Sequence, residues 1–136
     1  MRLRTALVGL GLLALVGLAI GGDEAERDLG EPVSYASEVQ LFFNQQCVAC
    51  HLTGAESGGL NLEPGLSHEE LLEDSVGAEM PRVTPGDPEE SYLFHKLRGT
   101  HLDVGGSGVV MPQGGQVSDQ ILAMIERWIA QGAPAE

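Results

Sequence analysis

The stretch NQQCVACHLTG (residues 44–54) holds both cysteines of the chain in C-x-x-C spacing, with His51 directly after the second. Whatever chemistry unites Cys47, Cys50 and His51 constrains the fold more than any other feature, because the rest of the chain must close around it. Four readings are open at this point: a redox disulfide, a zinc corner, a covalently attached haem, or coincidence.

A thioredoxin-type dithiol needs its C-x-x-C at the start of a helix inside a βαβ unit, and no segment here alternates as a strand does. A closed zinc site needs four ligands. Only three are clustered, and His68, His95 and His101 lack the paired spacing that would supply a fourth. Covalent haem accounts for all three residues together. Two thiols separated by two residues reach both vinyl groups of a porphyrin, and the adjacent imidazole comes under the iron. C-x-x-C-H is the attachment signal of haem c, and it requires export to where attachment occurs.

The amino terminus agrees with export. Arg2 and Arg4 precede an uncharged run over residues 5–20, and Ala19, Gly21 and Gly22 supply small residues before an acidic stretch opens at Asp23. Residues 1–22 therefore read as a secretory signal peptide cleaved near Gly21 or Gly22. The alternative is an uncleaved membrane anchor, since the run is near the lower limit for a spanning helix. Both place the domain in the periplasm or otherwise outside the cytoplasm. Without Arg2 and Arg4 the seven basic residues fall to five against twenty acidic ones, a net charge of −15. Nucleic acid is excluded as a partner, because phosphate binding needs a basic patch. The acidity suits a redox partner with a basic docking surface, although solubility accounts for it equally well.

Residues 23–32 read as an acidic linker and 33–136 as one domain. A first helix fits residues 35–45, with Ser34 as its cap and Val39, Phe42 and Phe43 on one stripe. After an aperiodic Gly-rich segment, Ser67 is expected to cap a short helix, with Glu70 completing a capping box and Leu66 stapled to Leu71. A third helix is expected from Asp87, with Pro88 at its first position, a capping box at Glu90, a buried face of Leu93, Phe94 and Leu97, and Gly99 as its stop. Ser118 caps a last helix whose apolar positions are Ile121, Leu122, Ile125, Trp128 and Ile129, ended by Gly132 and Pro134. The fold class is all-α: about four short helices joined by long Gly-rich loops. Such loops are uncommon in compact domains unless they are functional or wrap something, and each of the two longest carries a candidate ligand.

A six-coordinate haem needs a second axial ligand, and Met or His is usual. Met111 is the best candidate, in a flexible Gly-rich loop stiffened by Pro112 and followed by a strong helix. Met80, also followed by a proline, is the runner-up. Met124 lies on the buried side of the last helix. His101 reads as a solvated loop residue, and His68 and His95 as surface or partly buried ones.

The segments CVACH, GGLNL, VTPGDPEESYLFHKLRG, MPQGG and SDQILAMIERWIAQGAP resemble a small class I cytochrome c, and the GDPE-S-L block is most similar to planctomycete-type cytochrome c domains. The resemblance covers residues 33–134. It implies thioethers at Cys47 and Cys50, one haem c, proximal iron ligation by His51 and distal ligation by Met111. It also implies crossed first and last helices with Phe42 or Phe43 against Trp128. The departures are an extra HLDVGGSG loop before Met111 and the acidic surface. The function it implies is single-electron transfer between redox partner proteins, not an enzyme activity. Arg82, Lys96 and Arg98 are the nearest candidates for pairing with the propionates. The competing function is a haem c sensor or peroxidase-like enzyme with an open or labile sixth site, for which His101 is the one candidate distal acid–base group. A third context is a membrane-tethered subunit that keeps its amino-terminal segment.

Overall fold

The structure, a computed structural model, describes residues 29–53, 55 and 58–136. The signal segment and residues 23–28 of the linker lie outside the described residues. The described chain is helical, with no strand beyond two isolated bridges, Asp74 to Pro81 and Thr84 to Asp87. None of its helices is long and apolar enough to cross a membrane.

The first helix opens with one turn of π-helix, Tyr35–Val39, and continues as α1, Gln40–Gln46. Ser34 caps it as expected: its hydroxyl accepts the Ser37 N–H at 3.4 Å, and the Glu38 carboxylate accepts the Ser34 N–H at 2.9 Å. That reciprocal pairing satisfies donors the helix itself cannot. The chain ahead of this cap is held by Gln131. Its amide donates to the carbonyls of Leu29 (3.2 Å) and Glu31 (2.9 Å) and accepts the Val33 N–H at 2.9 Å.

The two middle helices start elsewhere than their caps suggested. Helix α2 spans Ser67–Leu71, so Ser67 is its first residue, and Leu66 flanks it with no side-chain cap. The Ser67 hydroxyl is fully buried, accepts from Tyr35 Oη at 2.6 Å and donates to Gln40 Oε1. Leu66 stays about half exposed while Leu71 is fully buried, so no staple forms. Helix α3 spans Tyr92–Arg98 instead of starting at Asp87. The Glu90 N–H does reach Asp87 Oδ1 at 3.2 Å, but the Asp87 carbonyl takes the Ser91 hydroxyl at 2.7 Å in place of a helical N–H, and Ser91 is extended. Ser67, expected to cap its own helix, is thus recruited by distant partners, whereas Ser91 is held by Asp87 and Thr84 close by in sequence. Gly99 ends α3 at φ 84°, a left-handed C-terminal position that costs glycine little.

Helix α4, Asp119–Ala130, is capped by Ser118 as expected, with its hydroxyl accepting the Ile121 N–H at 3.3 Å. It packs against α3 and the π-helical turn. The core joins Val33, Tyr35, Val39, Phe42 and Phe43 to Leu93, Phe94 and Leu97 of α3 and to Ile125, Trp128 and Ile129 of α4. Trp128 is fully buried, and its indole N–H donates to the Pro134 carbonyl at 2.9 Å, tying the tail down. The rings against Trp128 are Tyr35, at 5.4 Å between centroids, and His68, at 6.2 Å, instead of Phe42 or Phe43. Phe43 belongs to the same core, 6.5 Å from Tyr35, because α4 meets the π-helical turn that precedes α1.

Candidate functional site

The C-x-x-C-H run begins where α1 ends. Cys47 and Val48 both donate their N–H to the Phe43 carbonyl (2.8 and 3.0 Å), and Cys50 and His51 to the Cys47 carbonyl (3.1 and 3.0 Å). The backbone thus turns once more past the helix, leaving Cys47 half-buried against the core and Cys50 exposed. Burial, with a smaller push from Cys50, raises the Cys47 thiol to about 12. Reactive dithiols have the opposite setting, a helix amino terminus or a cation that lowers the thiol pKa. Here the pair follows a helix carboxy terminus, whose partial charge is negative.

His51 is pinned twice by the segment that follows. Its Nδ1 donates to the Leu60 carbonyl at 3.2 Å, and its own carbonyl accepts the Leu62 N–H at 2.8 Å. A neutral imidazole with its proton on Nδ1 carries the lone pair on Nε2, the form in which it binds a metal, and such a carbonyl contact fixes both tautomer and ring orientation. Sequence reasoning missed Leu60, since its contribution is a backbone carbonyl. The GGLNL segment reads in the sequence as part of an aperiodic Gly-rich stretch and of the resemblance, with no role toward His51.

Arg82 supports the same segment from behind. It is 8% exposed, and its guanidinium donates to the carbonyls of Glu70 (2.8 Å), Gly58 (3.1 Å) and Gly59 (3.4 Å). Lys96 donates to the carbonyls of Ser107 (3.1 Å) and Val109. Arg98 pairs with Glu89 at 2.8 Å and covers the Phe94 ring. All three cations named as propionate candidates are thus engaged with the protein itself.

Met111 is half-buried and packs on the core together with Cys47, Val48, Leu60, Val117, Ile121, Leu122 and Met124. Among the described residues Met80 is not part of that group; its carbonyl accepts the Ser75 N–H at 3.1 Å in a separate turn. Met124 is half-buried on this rim. The loop to Met111 is less free than its glycines suggested. Gly106 is closed in by the His101 carbonyl and by the Tyr92 ring, whose Cε2 would lie 2.6 Å from an added Cβ.

The remaining histidines sit deeper than expected or are occupied. His101 is 4% exposed, and its Nε2 donates to the Gly108 carbonyl at 3.2 Å. His95 is also 4% exposed, held by the Glu89 carbonyl (2.8 Å) and the Thr100 hydroxyl (2.7 Å). His68 is half-buried and bonds the Ala133 carbonyl at 2.8 Å. Among the described residues no three His, Cys, Asp or Glu side chains are grouped to hold a metal ion by themselves.

Two open clefts lie elsewhere. One, of about 510 Å³, is bordered by Tyr35, Gln40, Asn44 and Ser67; the other, of about 350 Å³, by Asp87, Glu89 and Glu126. Compared with protein-family models, with curated proteins and with solved structures, the chain gave no match.

Proposed function

We propose that this chain is an exported monohaem c-type cytochrome, of the class I kind it resembles, that carries single electrons between redox partner proteins. The observation that carries the proposal is the C-x-x-C-H turn with His51 Nδ1 committed to the Leu60 carbonyl. The donor set and its surroundings fit a haem c group. Cys47 and Cys50 would form the thioethers, His51 the proximal bond and Met111 the distal one. The half-buried rim of Val48, Leu60, Val117, Ile121, Leu122 and Met124 offers a flat apolar group the contact it needs.

Bound there, haem supplies a reversible one-electron iron couple. The protein's part is to keep that couple from reorganising. Leu60 fixes the imidazole, Arg82 fixes the loop carrying Leu60, and the apolar rim excludes water and disfavours added positive charge. The high thiol pKa of Cys47 disfavours a dithiol oxidoreductase.

The test is covalent attachment. Produced with haem-attachment machinery, the denatured polypeptide should keep its haem mass through acid–acetone extraction, and the Cys47→Ser, Cys50→Ser double variant should not. A haem-free polypeptide with two free thiols would overturn the proposal.

A further inference from the structure

The segment between α3 and Met111, which includes the HLDVGGSG departure from the resembled family, is held at four of its last five residues by side chains and backbone of α3 and its exit. Lys96 Nζ donates to the carbonyls of Ser107 and Val109, and the Lys96 carbonyl accepts the Met111 N–H at 2.9 Å. His101 Nε2 donates to the Gly108 carbonyl. The Tyr92 hydroxyl accepts the Ser107 N–H at 3.1 Å and lies 3.3 Å from the carbonyls of Gly77 and Ser107. Lys96 Nζ sits 5.9 Å from the centre of the Tyr92 ring, so the same ammonium braces the group beside it. Glycine is required where this tyrosine passes. An added Cβ would lie 2.9 Å from Tyr92 Oη at Gly77 and 2.7 Å from it at Gly106.

We propose that Lys96 is the positioning residue for Met111: its side chain and its backbone together latch the loop, with Tyr92 and His101 as the other two fastenings. The inference rests on the reading of Met111 as the distal ligand. It replaces a loop held open by glycine flexibility with one fixed by three residues of a neighbouring helix and its exit. The reason a latch is needed is geometric. A ligand donated by a loop returns to the metal only if the loop has few other places to be, and long Gly-rich segments have many. It also gives His101 a role as a fastening, through Nε2 on the Gly108 carbonyl, while its buried Nδ1 has no hydrogen-bond partner.

The experiment compares Lys96→Met, which keeps the stem and removes the donors, with Lys96→Arg, which keeps donors and charge. Both are read in the haem-loaded protein by the weak sulfur-to-iron band at the red end of the ferric spectrum and by amide exchange at Ser107 and Met111. Lys96→Met should bleach the band at lower temperature than the parent and speed exchange of both amides by about tenfold, as loss of one to two hydrogen bonds implies. Lys96→Arg should restore both. If Lys96→Met does not fold, Lys96→Gln, whose nitrogen falls one atom short, carries the same expectation. A parent that shows the band, with Lys96→Met matching it in thermal bleaching and exchange, overturns the latch alone. A parent without the band overturns Met111 ligation, and the positioning role with it.

Discussion

An imidazole offers one nitrogen to a metal reliably only when the other is held, and His51 meets that condition through the Leu60 carbonyl. The candidate role of His51 was legible in the sequence because the cysteines and histidine are adjacent. The contact that orients it was not, because any residue at position 60 would present the same carbonyl. Met111 and Met80 show the converse. Both precede proline, so the dipeptide cannot separate them, but only Met111 shares the half-buried rim with Cys47 and Leu60. If Met111 is the distal ligand as proposed, Met111→Ala in the haem-loaded protein is expected to abolish the sulfur-to-iron band and to lower the reduction potential by on the order of a hundred millivolts, since a ligand favouring ferrous iron would be removed. Met80→Ala should leave both in place. Spectra of the two variants beside a redox titration decide it, and the reverse pattern would move the ligand to Met80.

At the scale of elements, the caps that act locally were readable and those recruited from a distance were not. Ser34, Ser118 and Gly99 serve their own helices, so their neighbours in sequence announce them. Ser67 instead joins Tyr35 and Gln40 in a buried hydroxyl–amide chain that fastens α2 to the first helix, and nothing in its local sequence reveals partners 32 and 27 residues away. Burial holds the Tyr35 phenol above its ordinary value, against a smaller opposing effect of the Ser67 hydrogen bond. A phenol whose pKa is raised by folding keeps its proton when the unfolded chain has lost it. Its contribution is therefore complete below the unfolded pKa of about 10 and declines as pH rises beyond it. Tyr35→Phe should cost about 1 kcal/mol near neutral pH through the lost hydrogen bond. The variant should also lose less stability than the parent on going above pH 10. Urea unfolding of both proteins on either side of that pH measures the two effects, and parallel alkaline losses would contradict the burial argument.

For the molecule as a whole, the all-α character and the order of helices followed from caps and period, whereas the way the chain closes did not. The reason is that closure depends on long segments with no period, held by Gln131, Arg82, Lys96 and Tyr92 through contacts to backbone carbonyls that any sequence would present. Three of the four α-helices among the described residues have only five to seven residues, and isolated helices below about 12–15 residues are marginal in water. What remains is one twelve-residue helix around Trp128 and a core bordered by a rim of half-buried apolar residues on α4 and both loops. A group bound on that rim would join the loop after Cys47 to the loop before α4, and so close the circuit between the two ends of the domain. The Cys47→Ser, Cys50→Ser double variant, prepared free of haem, should accordingly show a helical signal well below the loaded protein, a collapsed near-ultraviolet signal from Trp128 and no sharp thermal transition, the signature of a molten state. A cooperative melt with a native near-ultraviolet spectrum would show instead that the Tyr35–Phe43–Trp128 core suffices, and that the bound group stabilises the loops without organising the fold.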